Sequence, residues 1–92
     1  MAQAKSRVQS KDMEFTFSVF IEPAEEGGYL ARIPTLNDSV TEGDSIEEAL
    51  AMAKDLIEGY IQSLIMDNLP IPREKVDLGG EKVTAQVAVH AL

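Results

Sequence analysis

Between Met13 and Glu22 apolar and polar side chains alternate. Phe15, Phe17, Val19 and Ile21 fall on one face, while Glu14, Thr16, Ser18 and Glu22 lie mostly on the other. A period of two carried by aromatic and β-branched residues predicts a half-buried strand. Pro23 cannot continue a ladder, and Gly27-Gly28 offers the positive φ of a turn, so residues 23–28 read as a hairpin loop. Tyr29 to Ile33 is a second strand, with Tyr29, Ala31 and Ile33 on one side, Leu30 and Arg32 on the other, and Pro34 at its end. Asn37 to Glu42 forms a weaker third strand. It suits an edge, since Val40 and Thr41 are its only strong β-formers.

The period then changes. Ser45 followed by Glu48 is a capping box, and Asp44, Glu47 and Glu48 place negative charge at the positive end of a helix dipole. Ile46, Ala49, Leu50, Ala53, Ile57, Tyr60, Ile61 and Leu64 follow at spacings of three and four, predicting one helix over about 46–65. Gly59 inside it costs up to ~1 kcal/mol relative to Ala, which a close approach to the sheet would explain. Asn68, Pro70 and Pro72 stop the helix, and a polar connection with Gly79-Gly80 leads on. Lys82 to Ala91 is the last strand, where Val83, Ala85, Val87, Val89 and Ala91 alternate with Thr84, Gln86 and His90.

The order β-β-β-α-β predicts an α+β fold, one amphipathic helix packed on a small, mostly antiparallel sheet. A long crossover after the helix lets the fourth strand lie parallel to its neighbour, strand 1. One helix covers one sheet face only. Phe20 and Leu30 are then left on the uncovered face as surface for association.

With 92 residues there is room for one domain. Eight basic residues face sixteen acidic ones, a net charge of −8. The charge is unevenly placed. Residues 1–12 carry three basic side chains against Asp12 and read as a flexible leader of +2, whereas residues 13–92 hold five basic and fifteen acidic, or −10. Such acidity disfavours phosphate backbones and anionic lipid and favours a basic partner. The polar leader is no signal peptide, no apolar run approaches the ~20 residues of a membrane span, and the lack of Cys excludes a disulfide framework. These features predict a cytoplasmic protein.

Catalytic constellations are scarce. His90 is the only histidine, which rules out a two-His metal site within one chain, and no phosphate-binding glycine motif occurs. The stretch Asp38 to Gly43 is no calcium loop, because Val40 replaces an oxygen ligand and Ala49 the closing Glu. Glu14, Glu22, Asp44 and Glu47 or Glu48 are the acids available to a two-metal nuclease, but those at the helix start already serve as caps. No catalytic residue, metal or cofactor is assigned. The hairpin from Glu22 to Tyr29 says more. Three carboxylates beside one aromatic suit docking to a basic surface, with Tyr29 as anchor and the acids steering encounter. The same segment also reads as a solvated turn with Tyr29 half-buried at a strand start.

Taken in order, the motifs resemble the HicB-like antitoxins of prokaryotic toxin–antitoxin modules. They are Ile21-Glu22-Pro23, Glu25-Glu26-Gly27-Gly28-Tyr29, Arg32-Ile33-Pro34, Thr35-Leu36, Val40-Thr41-Glu42-Gly43-Asp44-Ser45 and Glu47-Glu48-Ala49-Leu50, with Ile71-Pro72 after the helix. The resemblance spans residues 13–73. Asn37-Asp38-Ser39 stands where the family commonly has Pro-Gly-Cys, and Thr35 replaces the usual acid. The resemblance implies a partial RNase H-like sheet without nuclease chemistry. It also implies that this domain binds a small basic HicA-like RNA-cleaving toxin, occludes its active histidine, and assembles as a homodimer or homotetramer. Many relatives carry a C-terminal DNA-binding module; none is expected within residues 13–92, nor is direct nucleic-acid binding.

The expected function is therefore that of an antitoxin-type protein-binding domain and not an enzyme. Its expected partner-contact residues are Glu25, Glu26, Tyr29, Asp38 and Glu42. An orphan homo-oligomeric scaffold of the same fold and an RNase H-like metal nuclease are the alternatives.

Overall fold

A computed structural model describes residues 9–91. The elements follow the predicted order: β1 (Gln9–Pro23), β2 (Tyr29–Ile33), β3 (Ser39–Gly43), α1 (Ile46–Met66) and β4 (Glu81–Ala91). The four strands form one sheet in the order β3-β2-β1-β4, and every neighbouring pair is antiparallel.

The expected parallel alignment of the last strand is thus corrected. β4 does lie beside β1, but it runs against it, from Val19↔Glu81 to Gln9↔Ala91. The cause is the connection from Met66 to Glu81. Helix α1 returns over the sheet from the end of β3, covering about 31 Å in 21 residues. A short link from there would start β4 at the Gln9 end of β1 and make it parallel. The 14 intervening residues instead reach ~46 Å when extended, enough to climb back to the level of Val19 first.

β1 also begins at Gln9 rather than Met13, because β4 is long enough to pair with residues 9–12. The rest of the segment read as a leader, residues 1–8, lies outside the described residues. β3 starts at Ser39, two residues late. Asn37 and Asp38 adopt φ of 59° and 56°, a left-handed turn that short polar side chains tolerate and a strand excludes.

The core lies between α1 and one sheet face. Phe15, Phe17, Val19, Ala31, Ile33, Ala85 and Val87 meet Ala49, Ala53, Ile57 and Ile61 of the helix, with Leu36 plugged in from the β2–β3 turn. Burial of each large side chain here is worth roughly 1.5–3 kcal/mol. Ile46, expected in this stripe, is 47% exposed. The last residue of β3, Gly43, packs against Ala49, so Ile46 sits one turn beyond the end of the sheet.

The helix ends are built as the sequence predicts. The Ser45 hydroxyl accepts the Glu48 N–H at 3.0 Å, and the Glu48 carboxylate accepts the N–H of Asp44. At the other end Asn68, at φ 56°, donates its N–H to Ile65, and Leu69 donates to Leu64, a Schellman closure. Gly59 does not approach the sheet. It is exposed, with open space around its Cα, and its cost to the helix has no packing compensation.

The connection crosses from the helical side of the sheet to the other. Arg73 stacks over the Phe15 ring at 5.1 Å. Glu74 then meets Ser18, and Gly80, at φ 74°, lies against the carbonyl of Val19 and the ring of Phe20. A hydrogen-bonded turn, with Asp77 accepting from Gly79 and pairing with Lys82 at 2.9 Å, delivers the chain into β4.

Candidate functional site

Among the described residues no helix or strand covers the β2–β3 half of the sheet face away from α1. Alternation along the strands, with the register, fixes what it displays. One row across three strands reads Glu22, Leu30, Glu42, and the next reads Phe20, Arg32, Val40. Leu30 therefore has a carboxylate on each flank, the two about 10 Å apart at two strand spacings. Beyond this row the hairpin carries Pro23, Ala24, Glu25, Glu26 and Gly27. Together they enclose an open groove of about 690 Å³ lined also by Glu22, Leu30 and Glu42. Two backbone hydrogen bonds, Ala24 N–H to Gly28 and Gly27 N–H to Ala24, hold the hairpin, with φ of 102° and 75° at Gly27 and Gly28.

Four carboxylates and one apolar floor make this a place for a cation with an aliphatic stem. Among the described residues only Glu22 has an ion-pair partner, Arg32 at 3.8 Å, while Glu25, Glu26 and Glu42 have none. All four are exposed, so the field they project into solvent acts at long range on an approaching basic surface.

Of the five predicted contact residues, Glu25, Glu26 and Glu42 converge on the groove. Tyr29 does not line it. It sits in the alternate register position, opposite Pro23 and Gly43, and its ring packs half-buried against the core. Asp38 lies at the other end of β2 in the left-handed turn, where its carboxylate is 3.4 Å from Arg32. Arg32 spans between Asp38 and Glu22 and stacks over Phe20 at 5.6 Å. Glu22 and Leu30 complete the groove and were not among the predicted contacts. The signal that finds them is the register: Glu22 opposes Leu30, and Leu30 opposes Glu42.

The acids available to a metal nuclease do not assemble. Glu14 and Glu22 are eight residues apart on one strand, about 26 Å. Glu14 accepts from Gln86 at 3.3 Å, and Glu48 caps the helix. Among the described residues no three His, Asp or Glu side chains are grouped to hold a metal ion. No helix among them is long and apolar enough to cross a membrane.

Comparison with known proteins adds the family context. No family model matches the chain. A UPF0150 protein of Synechocystis sp. is 38% identical over 60 residues, covering 65% of this chain and 76% of the relative. A UPF0150 protein of Thermoplasma acidophilum is 33% identical over 75 residues, 82% of this chain and 97% of the relative. A protein named Antitoxin HicB 1, of Photorhabdus laumondii, is 41% identical over 56 residues, 61% of this chain but only 36% of that longer protein.

Proposed function

The chain belongs to the HicB-like antitoxin family, and we propose that it is a non-enzymatic antitoxin domain that binds and neutralises a small basic HicA-like toxin. The observation that supports this best is the acidic groove. Glu25, Glu26 and Glu42 lie there without cationic partners among the described residues, beside an apolar floor at Leu30. A Lys or Arg of the toxin would lay its stem on Leu30 and its charge between Glu22 and Glu42. Covering the basic surface that a ribonuclease needs for RNA removes its grip on phosphate, so neutralisation requires no chemistry from this chain.

Co-expression with a toxin encoded beside the gene tests the reading. Growth is expected to be restored, and the two proteins are expected to purify together. Reversing Glu25, Glu26 and Glu42 to Lys is expected to slow association at least tenfold and flatten its dependence on salt. A complex that forms at an unchanged rate would place the contact elsewhere. Failure of the unmodified chain to form any complex or restore growth would remove the antitoxin reading.

A further inference from the structure

Arg32 is the one basic side chain on β2 or β3, and it stands in the row next to the groove. Its guanidinium lies over the ring of Phe20, its partner in the register, 5.6 Å from the centroid. From that seat the two ends of the fork face two carboxylates. Nη1 donates to Asp38 Oδ1 at 3.4 Å, in the left-handed turn outside the groove. Nη2 lies 3.8 Å from Glu22 Oε2, in the groove wall. The first contact is a hydrogen bond; the second, by its length, is an ion pair only. The chain thus holds a cation of its own against a carboxylate that a partner's cation would need.

We propose that Arg32 is a built-in competitor for the groove, and that Asp38 is the positioning residue that keeps it from closing on Glu22. This role rests on the groove being a seat for a partner's cation. A Lys or Arg laid on Leu30 draws on Glu22, whose charge Arg32 already offsets in part, so the newcomer must displace Nη2. That displacement is a short movement. Nη1 keeps its hydrogen bond to Asp38 and the plane keeps its contact with Phe20, so only the loosest contact is given up. Without the charge of Asp38 the balance reverses. Glu22 becomes the ion-pair partner that remains to Arg32 among the described residues, and a planar guanidinium meets a carboxylate best with two parallel hydrogen bonds. Held in that way, Glu22 is closed to a second cation. Asp38 therefore acts on binding from outside the groove, through Arg32. The competitor also serves specificity: a lone cation binds less well than the carboxylates alone would allow, and a partner must bring further contacts to overcome Arg32.

A trilysine peptide at low ionic strength is the probe, and the amide shifts of Leu30 and Glu42 report its binding. Arg32→Gln is expected to tighten binding about two- to fivefold, the worth of one exposed ion pair. Asp38→Asn is expected to weaken it by about the same factor. Asn tolerates the φ of 56° at this position as Asp does, so the turn is kept. The decisive sample is the double variant. If Asp38 acts through Arg32, Arg32→Gln with Asp38→Asn binds as tightly as Arg32→Gln alone. If the two charges act only through the general field, their effects add, and the inference is overturned. Equal binding by the parent and Arg32→Gln overturns it too. The Nε–H resonance of Arg32 supplies a measurement free of substitutions. It is expected to shift as the probe binds, and a resonance that stays fixed while Leu30 and Glu42 respond overturns the inference. These failures leave the groove reading standing, whereas a parent with no response at Leu30 and Glu42 removes that reading and the role of Arg32 with it.

Discussion

The carboxylate of Glu74 accepts two hydrogen bonds from Ser18, one from the backbone N–H at 2.6 Å and one from the hydroxyl at 2.7 Å. A third comes from the Thr35 hydroxyl at 2.9 Å. The pairing of β1 with β2 stops at Phe20↔Arg32, which leaves the N–H of Ser18 without a strand partner at a position of 0% exposure. Glu74 takes the place of the missing strand. In doing so it pins the connection to the point where it crosses from one face of the sheet to the other.

Glu74→Ala is therefore expected to destabilise the fold by about 1–3 kcal/mol, the cost of a buried donor left without its partner. In a chain of this size each kcal/mol lowers Tm by roughly 4–8 °C. Thermal unfolding followed by circular dichroism reads the change directly. Glu74→Gln, which keeps an acceptor for the N–H, is expected to lose less.

The same contact makes stability depend on pH. Burial alone would raise the pKa of Glu74, but the donors from Ser18 and Thr35 and the charge of Lys82 outweigh it and hold the carboxyl below the ordinary glutamate value. A depressed folded-state pKa contributes stability that is complete above the unfolded-state value and is lost as pH falls through the lower, folded one. Urea unfolding at neutral pH is expected to separate the parent from Glu74→Gln, and the gap is expected to close as the solution is acidified through the carboxylate range. A gap independent of pH would show that the charge of Glu74 contributes nothing.

Gly59→Ala is expected to raise stability by up to ~1 kcal/mol. Gly59 lies inside α1 with nothing within 4 Å of the position a Cβ would take, so the change removes backbone entropy from the unfolded chain and meets no obstacle. A lowered Tm would mean that something packs on this exposed side of the helix in solution.

The reverse holds at Gly43, where β3 ends against the first turn of α1. A Cβ there would overlap the backbone N of Ala49 and lie 2.8 Å from backbone carbon of Glu48. Since backbone atoms give way only if the helix shifts, Gly43→Ala is expected to cost about 1–3 kcal/mol, read from chemical denaturation.

Much of this was legible along the chain. The alternation from Phe15 to Ile21, the capping box at Ser45 and the stop at Asn68 are interactions between residues a few positions apart, so the local pattern carried them into the structure. The convergence of Glu25 and Glu26 was readable for the same reason, as both sit on one hairpin. Glu42 joins them only through pairing of β2 with β3, and Glu22 and Leu30 reach the groove only through register. Tyr29 packs half-buried against the core, as its alternation with Ala31 and Ile33 and the reading of a half-buried residue at a strand start predict.

By itself, then, the sequence determined which segments are strands and helix, where the helix starts and stops, and which face of each carries the core. It also determined that the folded part is strongly acidic. The direction of β4, the freedom of space around Gly59, the exposure of Ile46, the role of Glu74 and the assembly of the groove were decided by tertiary structure alone. The physical reason is one of range. Periodicity and capping are written in neighbours three or four positions apart, whereas the path of a 14-residue connection depends on chain reach and on hydrogen-bond partners 56 positions away, as Ser18 and Glu74 are.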